Sequence, residues 1–114
     1  MNTFKIGASA VGLAILALGA TPAAAKPSFS CRGALNAAER TICRNQALAA
    51  LDRELAYWYR RAKLRAGYFE QTSWLRSEQR SWLSSRNSCG SDVLCIRVEY
   101  IERINTLQNY AEHV

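Results

Sequence analysis

The sequence predicts an all-α fold, and three observations lead to it. After Pro27 no proline occurs, and the only glycines beyond that point, Gly33, Gly67 and Gly90, separate stretches rich in Ala, Leu, Arg, Glu and Gln. Within those stretches apolar residues recur at steps of three and four, the period of one helix face. No stretch shows sustained alternation bounded by turn residues, as a half-buried strand would. One short and three longer helices joined by short connections predict an antiparallel bundle.

The chain opens differently from its remainder. Lys5 precedes an apolar run, Ile6 to Ala20, which Thr21-Pro22 interrupts before Ala23-Ala24-Ala25. A charged start, an apolar centre and small residues at the last positions have the form of a secretory signal peptide over residues 1–25. The run is shorter than the roughly 20 apolar residues of a spanning helix. Cys31 lies too far beyond it, after Ser28-Phe29-Ser30, to be a lipid-attachment site. The expected domain is therefore residues 26–114, in the periplasm or secreted from a bacterial cell, with no membrane-spanning segment.

Each helix has its own signals. Asn36-Ala37-Ala38-Glu39 reads as a capping box, in which Asn36 accepts from the Glu39 amide and the Glu39 carboxylate reaches back. A short helix follows to about Arg44, and Asn45 can end it and cap the next. That second helix runs from about Gln46 to Ala66, with Leu48, Leu51, Leu55, Trp58 or Tyr59, and Ala62 as its apolar stripe. Asp52, Arg53, Arg60, Arg61 and Lys63 mostly occupy its other sides, and Gly67 reads as its C′ residue. The third, about Glu70 to Ser88, has a narrow aromatic stripe of Trp74, Leu75, Trp82 and Leu83. Ser91 or Asp92 caps the last, about Val93 to Ala111, whose stripe is Ile96, Tyr100, Ile104 and Leu107, flanked by Val98 and Ile101.

All four cysteines, Cys31, Cys43, Cys89 and Cys95, lie beyond the leader. An even number in an exported chain this small predicts two disulfides, which supplement a limited core. The spacings C-x11-C and C-x5-C, with one histidine at His113, do not match a zinc site; no metal or other cofactor is expected. Pairing Cys31 with Cys43 and Cys89 with Cys95 closes two small loops at helix corners and is the pairing we favour, although four cysteines allow three connectivities.

The chain carries a formal charge of +6, one unit of which is Lys5, and beyond the leader only Lys26 and Lys63 are lysines. An arginine-rich surface favours anionic partners and grips carboxylates in bidentate fashion. Export disfavours nucleic acid as that partner.

Taken in order, C-R-G-A-L-N-A-A-E-R-T-I-C, L-A-A-L-D-R-E-L-A-Y-W-Y, Q-R-S-W-L-S-S-R-N-S-C and C-I-R-V-E-Y-I-E-R-I-N-T-L resemble the LprI-type lysozyme-inhibitor family, over Cys31 to Leu107. The resemblance implies a small exported four-cysteine helical domain and, for the founding member, inhibition of lysozyme. The partner implied is a lysozyme-like hydrolase.

The residues themselves point away from catalysis. His113 is next to the end, the cysteines are expected to be oxidised, and none of the carboxylates falls in an evident catalytic motif. Glu39, Asp52, Gln79, Arg86 and Arg103 are expected to form a structural polar network instead, with Arg86 or Arg103 bridging to Glu39 or Asp52 across the helices. Tyr59, Trp82 and Tyr100 are expected in the core, and Trp58, Trp74, Tyr68 and Phe69 at the surface. Arg60, Arg61, Lys63 and Arg65, followed by Tyr68-Phe69, form a candidate patch for a partner or for an anionic envelope polymer or lipid. The favourable placement of cations at a helix C-terminus is the alternative account of the same cluster.

Overall fold

The computed structural model describes residues 25–113. The leader expected over residues 1–25 lies, Ala25 apart, outside them. Among the described residues there are four helices and no strands: α1 (Ala37–Arg44), α2 (Gln46–Tyr68), α3 (Thr72–Ser88) and α4 (Val93–Glu112). The all-α prediction holds.

Local chemistry starts most of these helices. Asn36 Oδ1 accepts from the Glu39 amide at 2.8 Å, and Glu39 Oε1 accepts from the Asn36 amide at 2.9 Å, completing the capping box. Asn45 caps α2 through the Leu48 amide at 3.0 Å, and Asp92 caps α4 through the Cys95 amide at 3.1 Å. α3 begins at Thr72 rather than Glu70, without a side-chain cap on Gln71.

The end of α2 differs from expectation. Gly67 is helical, and the left-handed residue is Glu70 at φ 56°. The Gln71 amide donates to the Ala66 carbonyl at 2.7 Å and the Glu70 amide to that of Gly67 at 3.4 Å. That pair of bonds is a Schellman closure with Glu70 at C′. Gly90, at φ 61°, takes the equivalent position after α3.

Contacts fix the directions of the helices. Asp52 meets Tyr100 and Arg65 meets Tyr110, so α2 and α4 run parallel. Trp82 meets the Glu99 carbonyl, Gln79 meets Arg103 and Trp74 meets Tyr110, so α3 runs antiparallel to α4. The three long helices thus reverse in turn, and α2 and α4 form the main packed pair.

Tyr100, Ile42, Leu48, Leu75, Ile96 and Leu107 are fully buried, each stabilising the fold by about 1.5–3 kcal/mol. Phe29, from the arm before α1, packs against the same core. On α2 the buried line is Leu48, Asp52, Leu55, Ala62 and Ala66, with Leu51, Trp58 and Tyr59 half-buried beside it. Asp52 therefore occupies the core side that periodicity alone assigned to Leu51. On α3 the buried line is Leu75, Gln79, Trp82 and Arg86, and Trp74 is exposed.

Two disulfides, Cys31–Cys43 and Cys89–Cys95, tie the arm to α1 and the end of α3 to the start of α4. This is the local pairing. No described helix is long and apolar enough to cross a membrane.

Candidate functional site

The five polar residues singled out by sequence divide into two groups. Asp52, Arg86 and Tyr100 form a buried chain. The Tyr100 hydroxyl donates to Asp52 Oδ1 at 2.7 Å and accepts from Arg86 Nη1 at 3.1 Å. Asp52 Oδ2 accepts from both the amide and the hydroxyl of Ser28, each at 2.6 Å, so the N-terminal arm is held by the same carboxylate. Arg86 also lies 3.9 Å from Glu39, bonds Asn87 Oδ1, and stacks near the rings of Phe29 and Trp82. Arg103 joins neither acid. Its Nε donates to Gln79 Oε1 at 3.0 Å, while its Nη2 is buried without a hydrogen-bond partner among the described residues.

Tyr100 is the member of this chain that sequence placed in the core without a polar role. A tyrosine on an otherwise aliphatic buried stripe needs a partner for its hydroxyl, and that was the available signal. Burial chiefly, then the adjacent Asp52 charge, pushes its pKa well above the ordinary tyrosine value; Arg86 opposes this in part. Burial lowers the pKa of Arg103, opposed by Glu78 and Tyr59.

Above the chain lies a recess of about 340 Å³ bordered by Phe29, Tyr59, Trp82 and Leu83. Of the two carboxylates in its wall, Glu39 lies 3.9 Å from Arg86, and Asp52 is linked to it through the Tyr100 hydroxyl. Asp52 already accepts three hydrogen bonds. The arrangement ties four elements together: the arm, α2, α3 and α4.

The opposite end of the bundle is built of other material. Tyr57, Arg61, Leu64, Arg65 and Tyr68 share one face of α2, and Phe69 follows in the turn. Leu64 is 74% and Tyr68 83% exposed, an unusual state for large apolar side chains. Arg61 lies over the rings of Tyr57 and Trp58 at 5.8 and 5.7 Å, and its Nη1 donates to the Tyr57 hydroxyl at 2.8 Å. Arg65 lies over Phe69 at 4.9 Å and over Tyr110 of α4 at 5.6 Å. Tyr110 in turn meets Trp74 of α3, with ring centroids 5.5 Å apart. Such stacking holds guanidinium groups at defined places on a surface.

The four cations named from sequence thus diverge. Arg61 and Arg65 belong to the aromatic face, exposed Arg60 stands at its edge, and Lys63 turns to Tyr59 at 4.8 Å. Trp74, Tyr57, Leu64 and Tyr110 complete the surface and were not in the sequence-derived patch. A second exposed stripe, Leu94, Val98 and Ile101, runs along α4; sequence had placed Val98 and Ile101 beside its core stripe. Among the described residues no group of His, Cys, Asp or Glu is placed to hold a metal ion.

A helical bundle stapled at one end, with its polar hub closed and an aromatic–cationic surface at the other end, defines a small disulfide-bonded domain that presents surfaces. The model of the family described as lysozyme inhibitor LprI matches residues 31–109, and the chain belongs to that family. The match spans all four cysteines, the Asp52–Tyr100–Arg86 chain and most of the exposed aromatic end. Comparison with curated proteins and with solved structures returned no match. The disulfides and the family are consistent with an extracellular or periplasmic protein.

Proposed function

We propose that this protein is an exported, non-catalytic inhibitor of a lysozyme or a related wall-active hydrolase, working in the periplasm or outside the cell after loss of its leader. Membership of the LprI family over residues 31–109 is the observation that carries this reading. The geometry is compatible with it: an inhibitor needs a stiff scaffold and an exposed contact surface, and disulfides and buried polar ties supply stiffness. The test is a titration of the purified, disulfide-bonded protein against lysozymes of several types while wall lysis is followed. Inhibition of at least one type at micromolar protein or below is expected; no effect on any type sinks the reading.

A second reading has one specific observation behind it. Arg60, Arg61, Lys63 and Arg65 lie on a stretch of α2 with no acid between Glu54 and Glu70, which suits an anionic envelope polymer or lipid. Retention on such a polymer that salt abolishes, without inhibition of any lysozyme, would favour it.

A further inference from the structure

We propose that the aromatic–cationic end of the bundle is the inhibitory surface, and that it docks against the carboxylate-bearing substrate cleft of the target glycosidase. The assignment rests on the inhibitor reading and names the surface through which it acts.

The relief of this end is that of a ridge between two hollows. Leu64 forms the ridge with Arg61 beside it. One hollow, of about 440 Å³, is bordered by Tyr57 and Arg60, and the other, of about 360 Å³, by Arg65, Tyr68 and Phe69. The protruding element is therefore an apolar tip flanked by two guanidinium groups, and each group is held by an aromatic neighbour four residues away in the chain, Tyr57 for Arg61 and Phe69 for Arg65. Pre-positioned Arg and aromatic side chains are the residues that carry most binding energy at protein interfaces, because little rotamer freedom remains to be lost.

Charge selects the partner. Glycosidases that cleave wall sugars place two carboxyl groups on either side of the scissile bond, at the foot of a cleft. A planar guanidinium meets a carboxylate through two parallel hydrogen bonds, which an ammonium cannot do. Arginine supplies three of the four cations here, and no described acid pairs with Arg61 or Arg65: the ion pair of the described residues is Arg86 with Glu39 at the far end. The cations at this end are thus available, whereas those of the hub are engaged. A flat anionic bilayer uses positive charge and apolar insertion, but it needs neither the hollows nor the stacking that fixes the guanidinium groups.

The experiment compares three proteins with both disulfides intact: the unaltered chain, Arg61→Glu/Arg65→Glu, and Arg53→Glu/Arg80→Glu, which makes the same charge change at exposed positions elsewhere. All substitutions are at surface or partly exposed sites, and thermal melts verify that folding is retained. Each is titrated against a lysozyme that the unaltered chain inhibits, with and without a soluble N-acetylglucosamine oligomer as cleft probe. The expected result is inhibition weakened at least about tenfold by the Arg61/Arg65 pair, nearly unchanged by the Arg53/Arg80 pair, and competitive with the oligomer. Equal inhibition by all three proteins overturns the surface while leaving the inhibitor reading intact. Binding to the lysozyme, measured directly, that a saturating concentration of the oligomer does not weaken overturns docking in the cleft. Absence of inhibition by the unaltered chain removes the inhibitor reading and this assignment together. Vesicles containing anionic phospholipid serve as the last arm: binding to them that is lost with Arg61 and Arg65, while inhibition persists, assigns the surface to lipid instead.

Discussion

The two ends of the bundle solve opposite problems. At the end where α1, the N-terminus of α2 and the α3–α4 corner meet, there are two disulfides, and Asp52, Arg86 and Tyr100 satisfy one another below the surface. At the other end α2, α3 and the C-terminus of α4 meet without a covalent tie, and Tyr57, Leu64, Tyr68, Phe69 and Trp74 remain exposed. The closed end spends its polar groups internally and so defines the register of the helices. The open end leaves its arginines and rings for something else. A domain of this size has too little core to leave apolar surface exposed everywhere, and concentrating the cross-links at one end frees the other.

The sharpest way to break that contrast is to remove the same side chain from each end. Arg86→Ala leaves Asp52 buried beside Tyr100 with its positive neighbour gone, and a loss of about 3–5 kcal/mol is expected. For a domain of this size that is a fall in Tm on the order of 15 °C or more. Arg61→Ala, at the exposed end, should change stability by no more than about 0.5 kcal/mol. Thermal or urea melts of both variants decide it. Comparable losses would mean that the ends are not energetically distinct.

The disulfides come next in size. Replacing Cys31 and Cys43 by serine should cost about 3 kcal/mol, and replacing Cys89 and Cys95 closer to about 2 kcal/mol, because the loop closed is shorter. Urea midpoints of the two double variants measure the difference. An effect near zero for either pair would place that corner's rigidity in packing rather than in the cross-link.

Tyr100 sharpens the comparison through pH. Its hydroxyl titrates well above the ordinary value of 10.0 when folded, so the folded state holds its proton more tightly than the unfolded chain does. The stability this provides is complete below pH 10 and declines as pH rises beyond it, through the folded pKa. Melts between pH 8 and 11 should therefore fall more steeply above pH 10 for the unaltered chain than for Tyr100→Phe. The variant itself should lose about 1–3 kcal/mol at neutral pH, since Asp52 Oδ1 is left without its donor. Parallel slopes for the two proteins would remove Tyr100 from the hub.

What sequence made legible follows the same division. The caps at Asn36, Asn45 and Asp92 are bonds between residues three apart, and the pattern N-A-A-E displays one of them outright. The four cysteines revealed themselves by number and placement. The hub was only half visible: Asp52, Arg86 and Glu39 were singled out, yet Tyr100, which links residues 48 apart in sequence, was assigned to packing alone. Either Arg86 or Arg103 is expected from sequence to reach an acid; Arg86 does, at Glu39, and Arg103 meets Gln79, because α3 and α4 run antiparallel and bring those two positions level. The open end was visible as Arg60 to Arg65 and Tyr68-Phe69. Its breadth was not, since Tyr110 and Trp74 arrive from other helices only once the bundle is packed. The misplacement of Gly67 has a local reason. A glycine near a helix end invites the left-handed assignment, but the closing bonds fall three residues later than that assignment requires, from the Gln71 amide to the Ala66 carbonyl and from the Glu70 amide to that of Gly67.

That error supplies the smallest and most local test, at the open end itself. Gly67 is helical and exposed, and a methyl group there would meet nothing closer than Thr72 Oγ1 at 3.9 Å, an ordinary contact. Gly67→Ala should therefore stabilise the protein by up to about 1 kcal/mol through helix propensity. Glu70 holds the left-handed position with a side chain that disfavours it, and Glu70→Gly should add about 0.5–1 kcal/mol. If Gly67 were instead the left-handed C′ residue, Gly67→Ala would destabilise by a similar amount and Glu70→Gly would gain nothing. The sign of the first change, read from a urea midpoint, distinguishes the two descriptions of how α2 hands over to Tyr68 and Phe69. It also measures how much of the open end's shape depends on a strained residue rather than on a flexible one.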